Sequence, residues 1–235
     1  VVVSPGVHPE YRAVVRTYAQ GMGLTFAGED GDPQDLSSLQ QEVDAQTACV
    51  LVQNPGFLGS LGEPRELKTL ADAAHVAGAL FVVTADPISL GLFAPPSEYG
   101  ADIVCGEGQS LAGGLSFGGP YLGYFACKQE YVHKMAGRIV GQTVDKNGKR
   151  GFVLTLSARE QHIRREKATS NICTNHALNA LRATIYLSTV GEDGLREIAI
   201  ENMKISHYAV KRIETETKCK IPFKKYHPLH PLPLV

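Results

Sequence analysis

The stretch Leu80-Phe81-Val82-Val83-Thr84 constrains the fold more than any other feature of the chain. Its apolar side chains do not alternate with polar ones, so a strand formed here has to be covered on both faces, as in the middle of a parallel sheet. Just before it, Glu63-Pro64 opens a segment in which Leu67, Leu70, Ala71, Ala74 and His75 recur at helical spacing until Gly78. Residues 101–105 and 121–127 read as further short strands. Upstream, residues 1–4 predict a strand, and residues 8–22 a helix that Gly21 and Gly23 stop. Residues 24–27 are a strand candidate, 35–43 a short helix, and 48–53 a strand before the turn Asn54-Pro55-Gly56. Strands alternating with helical segments predict an α/β class chain with an open, mostly parallel sheet.

The pattern changes after Gly151. Residues 152–156 predict a last strand, and a polar, basic segment runs from Ser157 to Lys167. Two long helices are expected over 177–189 and 194–213, parted by Gly191-Glu192-Asp193-Gly194 and leaving the sheet for a smaller domain. The domain expectation is therefore 1–156 for the α/β portion, 157–221 for a helical return and the start of a small α+β domain, and 222–235 for a tail. That tail holds Pro228 and Pro231 and shows no periodicity.

Composition removes whole classes of function. With 23 Lys+Arg against 24 Asp+Glu and a pI near 6.8, the chain has no global basic field for nucleic acid or an anionic membrane. The longest apolar run, 79–85, falls far short of the roughly 20 residues that span a bilayer. The opening Val1-Val2-Val3-Ser4-Pro5-Gly6 lacks a charged leader region and reads as a fragment entered mid-fold. Five widely spaced cysteines without a Cys-x-x-Cys pair suit a reduced, cytoplasmic setting. They give no zinc framework, and Pro228 prevents His227 and His230 from aligning on a helix, so no metal is expected.

Three places carry candidate chemistry. Asp86 follows the most apolar strand, where open α/β sheets bind ligands, and can pair with a protonated ring nitrogen or cap the turn at Pro87; the residues alone leave both open. The stretch from Gly106 to Pro120 is rich in glycine, yet spells neither a phosphate loop nor a dinucleotide fingerprint. No lysine occurs between Lys68 and Lys128, so this region offers no amine for a Schiff base. The third is the segment 157–171. Its Arg164, Arg165 and Lys167 can bind carboxylate or phosphate and His162 can act in acid–base work, or the stretch is a solvated helix start or an interdomain salt-bridge cluster.

Continued through Asn171-Ile172-Cys173-Thr174-Asn175-His176-Ala177-Leu178, that segment closely resembles a signature of the glycine dehydrogenase (decarboxylating) family, the P-protein of the glycine cleavage system. Gly106-Glu107-Gly108-Gln109-Ser110-Leu111 and Leu115-Ser116-Phe117-Gly118-Gly119-Pro120-Tyr121-Leu122-Gly123 resemble its subunit 1 form, and the likeness runs from Val1 to about Ile213. Met135-Ala136-Gly137-Arg138 departs from the family by an Ala where Pro is usual. The resemblance implies the aspartate aminotransferase type of pyridoxal-phosphate fold (fold type I). It also implies that Ser110 stands near the position of the cofactor lysine in the catalytic half, and that Asp86 is the relic of the ring-nitrogen partner. No catalytic residue is then expected in this chain. Pyridoxal phosphate would belong to subunit 2, which decarboxylates glycine and passes the aminomethyl group to the lipoyl arm of H-protein within a heterotetramer. Arg159, His162, Arg164 and Lys167 would lie at the interface or line the channel. Two alternatives stand beside this reading: an independent pyridoxal-phosphate enzyme, which needs a lysine, and a non-catalytic scaffold domain.

Overall fold

The computed structural model describes residues 1–111, 113–168 and 176–220. Its central element is a five-stranded sheet in the order β1 (Val2–Val3), β2 (Cys49–Gln53), β3 (Leu80–Thr84), β4 (Ile103–Glu107) and β5 (Gly123–Cys127). The first four strands are parallel: Val2 pairs with Val50, Cys49 through Gln53 pair with Leu80 through Thr84, and Val82 pairs with Ile103. β3 is thus an interior strand with both faces covered. On one side, Val50, Val52, Phe81 and Val83 pack with Leu67, Leu70, Ala71 and Ala74 of α3 (Pro64–Val76) and with Leu39 of α2 (Leu36–Gln41). On the other, Val3, Leu51 and Val82 meet Tyr11 and Val15 of α1 (Pro9–Ala19). Side chains alternate across a strand, so each face takes every second residue and neither can be polar.

Local signals set the helix boundaries. Asp35 caps α2 by accepting the N–H groups of Ser37 (2.9 Å) and Ser38 (3.3 Å). Pro64 starts α3, and Gly78, at φ 79°, follows its end. The strand expected at 24–27 reduces to one parallel bridge between Val2 and Ala27. After the short helix α4 (Gln161–Arg164), the long helix α5 (Ala177–Glu216) is broken only at Gly191, whose φ of 66° and ψ of −174° separate two helical rods at the predicted boundary.

Contacts divide the chain into two compact units, Val1–Ala126 with Leu178–Val235, and Cys127–Ala177. The 156/157 boundary expected from sequence falls inside the second unit. In the first unit, α5 packs back onto the sheet's loops rather than leaving them. Ala183 and Ala199 are buried with Ile88 and Leu111, and Tyr186, Leu195 and Ile198 close the cluster. Small residues allow that approach: a Cβ on Gly91 would lie 2.8 Å from the Leu195 carbonyl oxygen. In the second unit, the strand expected at 152–156 is β7 (Arg150–Thr155). It does not extend the parallel sheet but pairs antiparallel with β6 (Ile139–Val144) through a turn in which Asp145 Oδ1 accepts from Asn147 and Lys149. The Gly141-Gln142-Thr143 interruption in β6 had concealed this partner. Residues 222–235 lie outside the described residues.

One buried carboxylate joins three elements of the sheet unit. Asp102, 3% exposed, stands just before β4; its Oδ2 accepts the Phe81 N–H at 2.7 Å and lies 2.8 Å from His75 Nε2 on α3. Its own N–H donates to the Phe81 carbonyl at 2.8 Å. Asp102→Ala strands the Phe81 N–H in the core, a loss of about 1–3 kcal/mol, read as a lower urea midpoint with unchanged slope.

Candidate functional site

Where β2, β3 and β4 end, their carboxyl edges open on a cleft of about 610 Å³. Gln53 closes β2, Thr84, Ala85 and Asp86 end β3, and Glu107, Gln109 and Ser110 end β4. His8 and Tyr11 enter from the start of α1, Phe57 and Ile88 from the loops, and Asn202 from the second rod of α5. This is the edge at which parallel α/β sheets bind ligands.

His8 is held on three sides. Its backbone N–H donates to Gln53 Oε1 at 2.9 Å, and its Nδ1 accepts the Glu10 N–H at 3.1 Å, capping α1. Its ring sits 4.3 Å from the Phe57 ring centroid and 4.9 Å from that of Tyr11. Burial lowers its pKa, with Glu10 pulling the other way. Because Nδ1 accepts, the neutral ring carries its proton on Nε2. Burial also raises the phenol of Tyr11, with help from Glu107, Cys105 and Asp86. The Tyr124 phenol is raised by burial first and then by Asp86 and Cys105, and it donates to the Ala85 carbonyl at 2.6 Å. Burial is the larger cause of both shifts, and the nearby carboxylates add to it.

Asp86 caps a turn at the rim of the cleft. Its Oδ1 accepts from the N–H groups of Ile88 (2.9 Å) and Ser89 (3.1 Å), capping the turn at Ser89–Gly91, and the residue also lines the cleft. Ser110 is exposed and lines it too. Several polar groups of the glycine-rich loop bond within the protein. Glu107 Oε1 takes the N–H groups of Gln109 and Leu122, both at 2.9 Å. Gln109 Nε2 donates to the Gly113 carbonyl, Tyr121 to Leu115, and Asn179 to Pro120.

These residues do not fit pyridoxal phosphate held as a catalytic half would hold it. Among the described residues the cleft is lined by no lysine for a Schiff base and no arginine for a phosphate, and its two ionisable acids repel that phosphate.

The second unit holds the other sequence-selected residues. The Arg159 guanidinium donates to the carbonyls of Met135 and Gly137 and lies 3.6 Å from Glu160. It therefore ties its own segment to the start of the hairpin. His162, Arg164 and Lys167 are exposed, and Arg164 Nε donates to the Ala158 carbonyl at 3.2 Å. Residues 169–175 of the signature lie outside the described residues. His8, Tyr11, Phe57, Glu107, Tyr124 and Asn202 escaped sequence reasoning. The rule that ligands sit at carboxyl ends of parallel strands points to Glu107, the last residue of β4, whereas no local pattern marks Asn202.

The family described as glycine cleavage system P-protein matches residues 1–230, through most of the stretch that sequence pattern set apart as a tail. The chain belongs to this family. It is 54% identical over 215 residues to the probable glycine dehydrogenase (decarboxylating) subunit 1 of Carboxydothermus hydrogenoformans, covering 91% of this chain and 48% of that one. The corresponding protein of Desulforamulus reducens is 51% identical over 227 residues, covering 95% and 50%. A crystal structure of glycine decarboxylase, the P-protein of the glycine cleavage system in inhibitor-bound form, superposes with a TM-score of 0.80 at 47% identity. It covers 90% of this chain and 48% of that one. The α/β sheet is therefore that of fold type I, and the chain spans about half the length of the curated relatives it matches.

Two predictions test the cleft. A Cβ on Gly106 would meet the Ala85 carbonyl oxygen at 2.3 Å and the Tyr124 hydroxyl at 2.7 Å. Gly106→Ala thus overpacks the floor and costs about 1–3 kcal/mol, measured by urea unfolding. The raised Tyr124 pKa stabilises the fold fully below the unfolded tyrosine value of about 10, and that part is lost as pH rises through the higher folded value. Tyr124→Phe flattens the fall in stability above about pH 10, measured as melting temperature against pH.

Proposed function

We propose that this chain is the cofactor-silent half of a glycine dehydrogenase (decarboxylating), acting as subunit 1 beside a lysine-bearing subunit 2 in the glycine cleavage system. The observation that supports this reading is a cleft that keeps Asp86 at the end of β3 but presents Ser110 and no amine. Pyridoxal phosphate and glycine belong, on this reading, to the partner's site, and the aminomethyl group leaves on the lipoyl arm of H-protein. This chain contributes shape and exclusion of water instead of bond making. Arg164 and Lys167 supply exposed cations and His162 an exposed imidazole for the interface or channel, and Arg159 positions them from within its unit. Assembly as a heterotetramer in the cytoplasm is part of the proposal. Four free cysteines among the described residues suit that reducing compartment, and among those residues no helix is long and apolar enough to cross a membrane.

The test is a visible absorption spectrum with added pyridoxal phosphate, taken on the complete subunit 1 alone and on its gel-filtered complex with subunit 2. No protein-bound cofactor band is expected from subunit 1 alone, and one is expected in the co-eluting complex. A stable band from subunit 1, mapped to one of its lysines after borohydride trapping, would favour an independent cofactor enzyme. Arg164→Ala with Lys167→Ala is expected to weaken assembly by about threefold to tenfold, since exposed charge contacts contribute little singly.

A further inference from the structure

The near-neutral total charge conceals a strong segregation. Residues 1–126 hold four Lys/Arg against fourteen Asp/Glu, net −10. Residues 127–177, the second compact unit, hold ten against four, net +6.

That basic unit also presents an uncovered apolar face. The β6–β7 register pairs Val140 with Leu154, Gln142 with Phe152, and Val144 with Arg150. Directly paired residues share a face and successive residues alternate, so these six side chains project together. The four apolar ones are exposed to nearly the same extent: Val140 59%, Leu154 60%, Phe152 63% and Val144 64%. The opposite face carries Ile139 and Thr155, both half-buried, together with Gly141, Val153, Thr143 and Gly151. The larger apolar groups are thus concentrated on the uncovered side. A two-stranded hairpin is marginal in water by itself, and a contiguous apolar patch marks a surface that something else covers.

Charge says what kind of surface that is. Arg150 shares the apolar face, with its guanidinium carbon 5.8 Å from the Phe152 ring centroid. Lys146 and Lys149 lie in the closing turn and Arg138 just before β6, while Asp145 is the single acidic residue between 138 and 155. Pairing two such hairpins from two copies would oppose like charges around the patch.

We infer that the face formed by Val140, Val144, Phe152 and Leu154 is where this chain receives its partner subunit, and that the partner's contact is apolar at its centre and acidic at its rim. The inference rests on the functional reading above, which supplies the partner; the hairpin and its charge supply the place and the chemistry. Phe152 is the anchor and the basic residues around it set approach and salt dependence.

The experiment compares complete subunit 1 with its Phe152→Asp, Val153→Asp and Lys149→Glu/Arg150→Glu variants. Association with subunit 2 is followed by analytical ultracentrifugation at low and high salt, and the melting temperature of each free subunit is recorded. Phe152→Asp is expected to weaken association by about 30-fold or more, the scale of an aromatic anchor, with the free subunit's melting temperature unchanged. Val153→Asp, on the other face, is expected to weaken it by less than about threefold. The double charge reversal is expected to weaken it by about tenfold at low salt and to approach wild type at high salt.

Wild-type assembly that Phe152→Asp leaves intact overturns this inference and spares the functional reading; failure of the wild-type subunits to associate overturns both. A melting temperature lowered by Phe152→Asp places the covering element within the same chain, and self-association lost in that variant makes a second copy the occupant. Either outcome also overturns the inference.

Discussion

Burial of β3 on both faces is the constraint from which the rest of the first unit follows. Phe81 and Val83 need α3 on one side and Val82 needs α1 on the other, and the parallel pairings of β1 with β2 and of β2 with β3 require crossovers long enough to contain α1 and α3. Asp102 then binds the start of β4 to β3 and to α3, so the register of the interior strands is held by a buried acceptor as well as by apolar packing. With the strands aligned, their carboxyl ends fall on one edge, and the cleft is a geometric result of that alignment.

The chemistry of the cleft is set by what its polar groups already do. Glu107 spends one oxygen on two backbone N–H groups of the glycine-rich region, and Asp86 spends one on the turn that follows it. The carboxylates therefore hold the local backbone, while burial first and their proximity second raise the phenols of Tyr11 and Tyr124. With His8 neutral between two rings, the space is acidic, aromatic and short of cations. Among the described residues, neither lysine nor arginine lines it.

The second unit follows a different logic. Among the described residues no helix packs on the hairpin face bearing Phe152, and the unit's Lys and Arg residues outnumber its Asp and Glu residues. Arg159 is the internal tie, joining the signature segment to the start of β6 through two carbonyls. The residues of the signature thus divide between holding the unit together and facing outward, a division that spacing along the chain does not reveal.

Much of the sheet was legible because its determinants are local. An unrelieved apolar run, Pro64 at a helix start, Asp35 at a cap and Gly191 at a break each act through their own backbone or through residues a few positions away. The same holds for the absence of lysine between positions 68 and 128 and for the glycine-rich stretch that carries the family likeness. Strand β6 was hidden because Gly141 and Gln142 interrupt its alternation, so only pairing with β7 makes it a strand. The cleft was hidden for a related reason. His8, Phe57, Glu107 and Asn202 are tens to nearly two hundred residues apart and meet only when the strands are in register. By itself the sequence determined which segments must be buried and which chemistry was missing, because hydrophobic period, caps and residue inventory are properties of neighbouring residues. Tertiary structure alone decided which carboxylates line one cleft and which apolar face stays uncovered, because both depend on strand pairing and register.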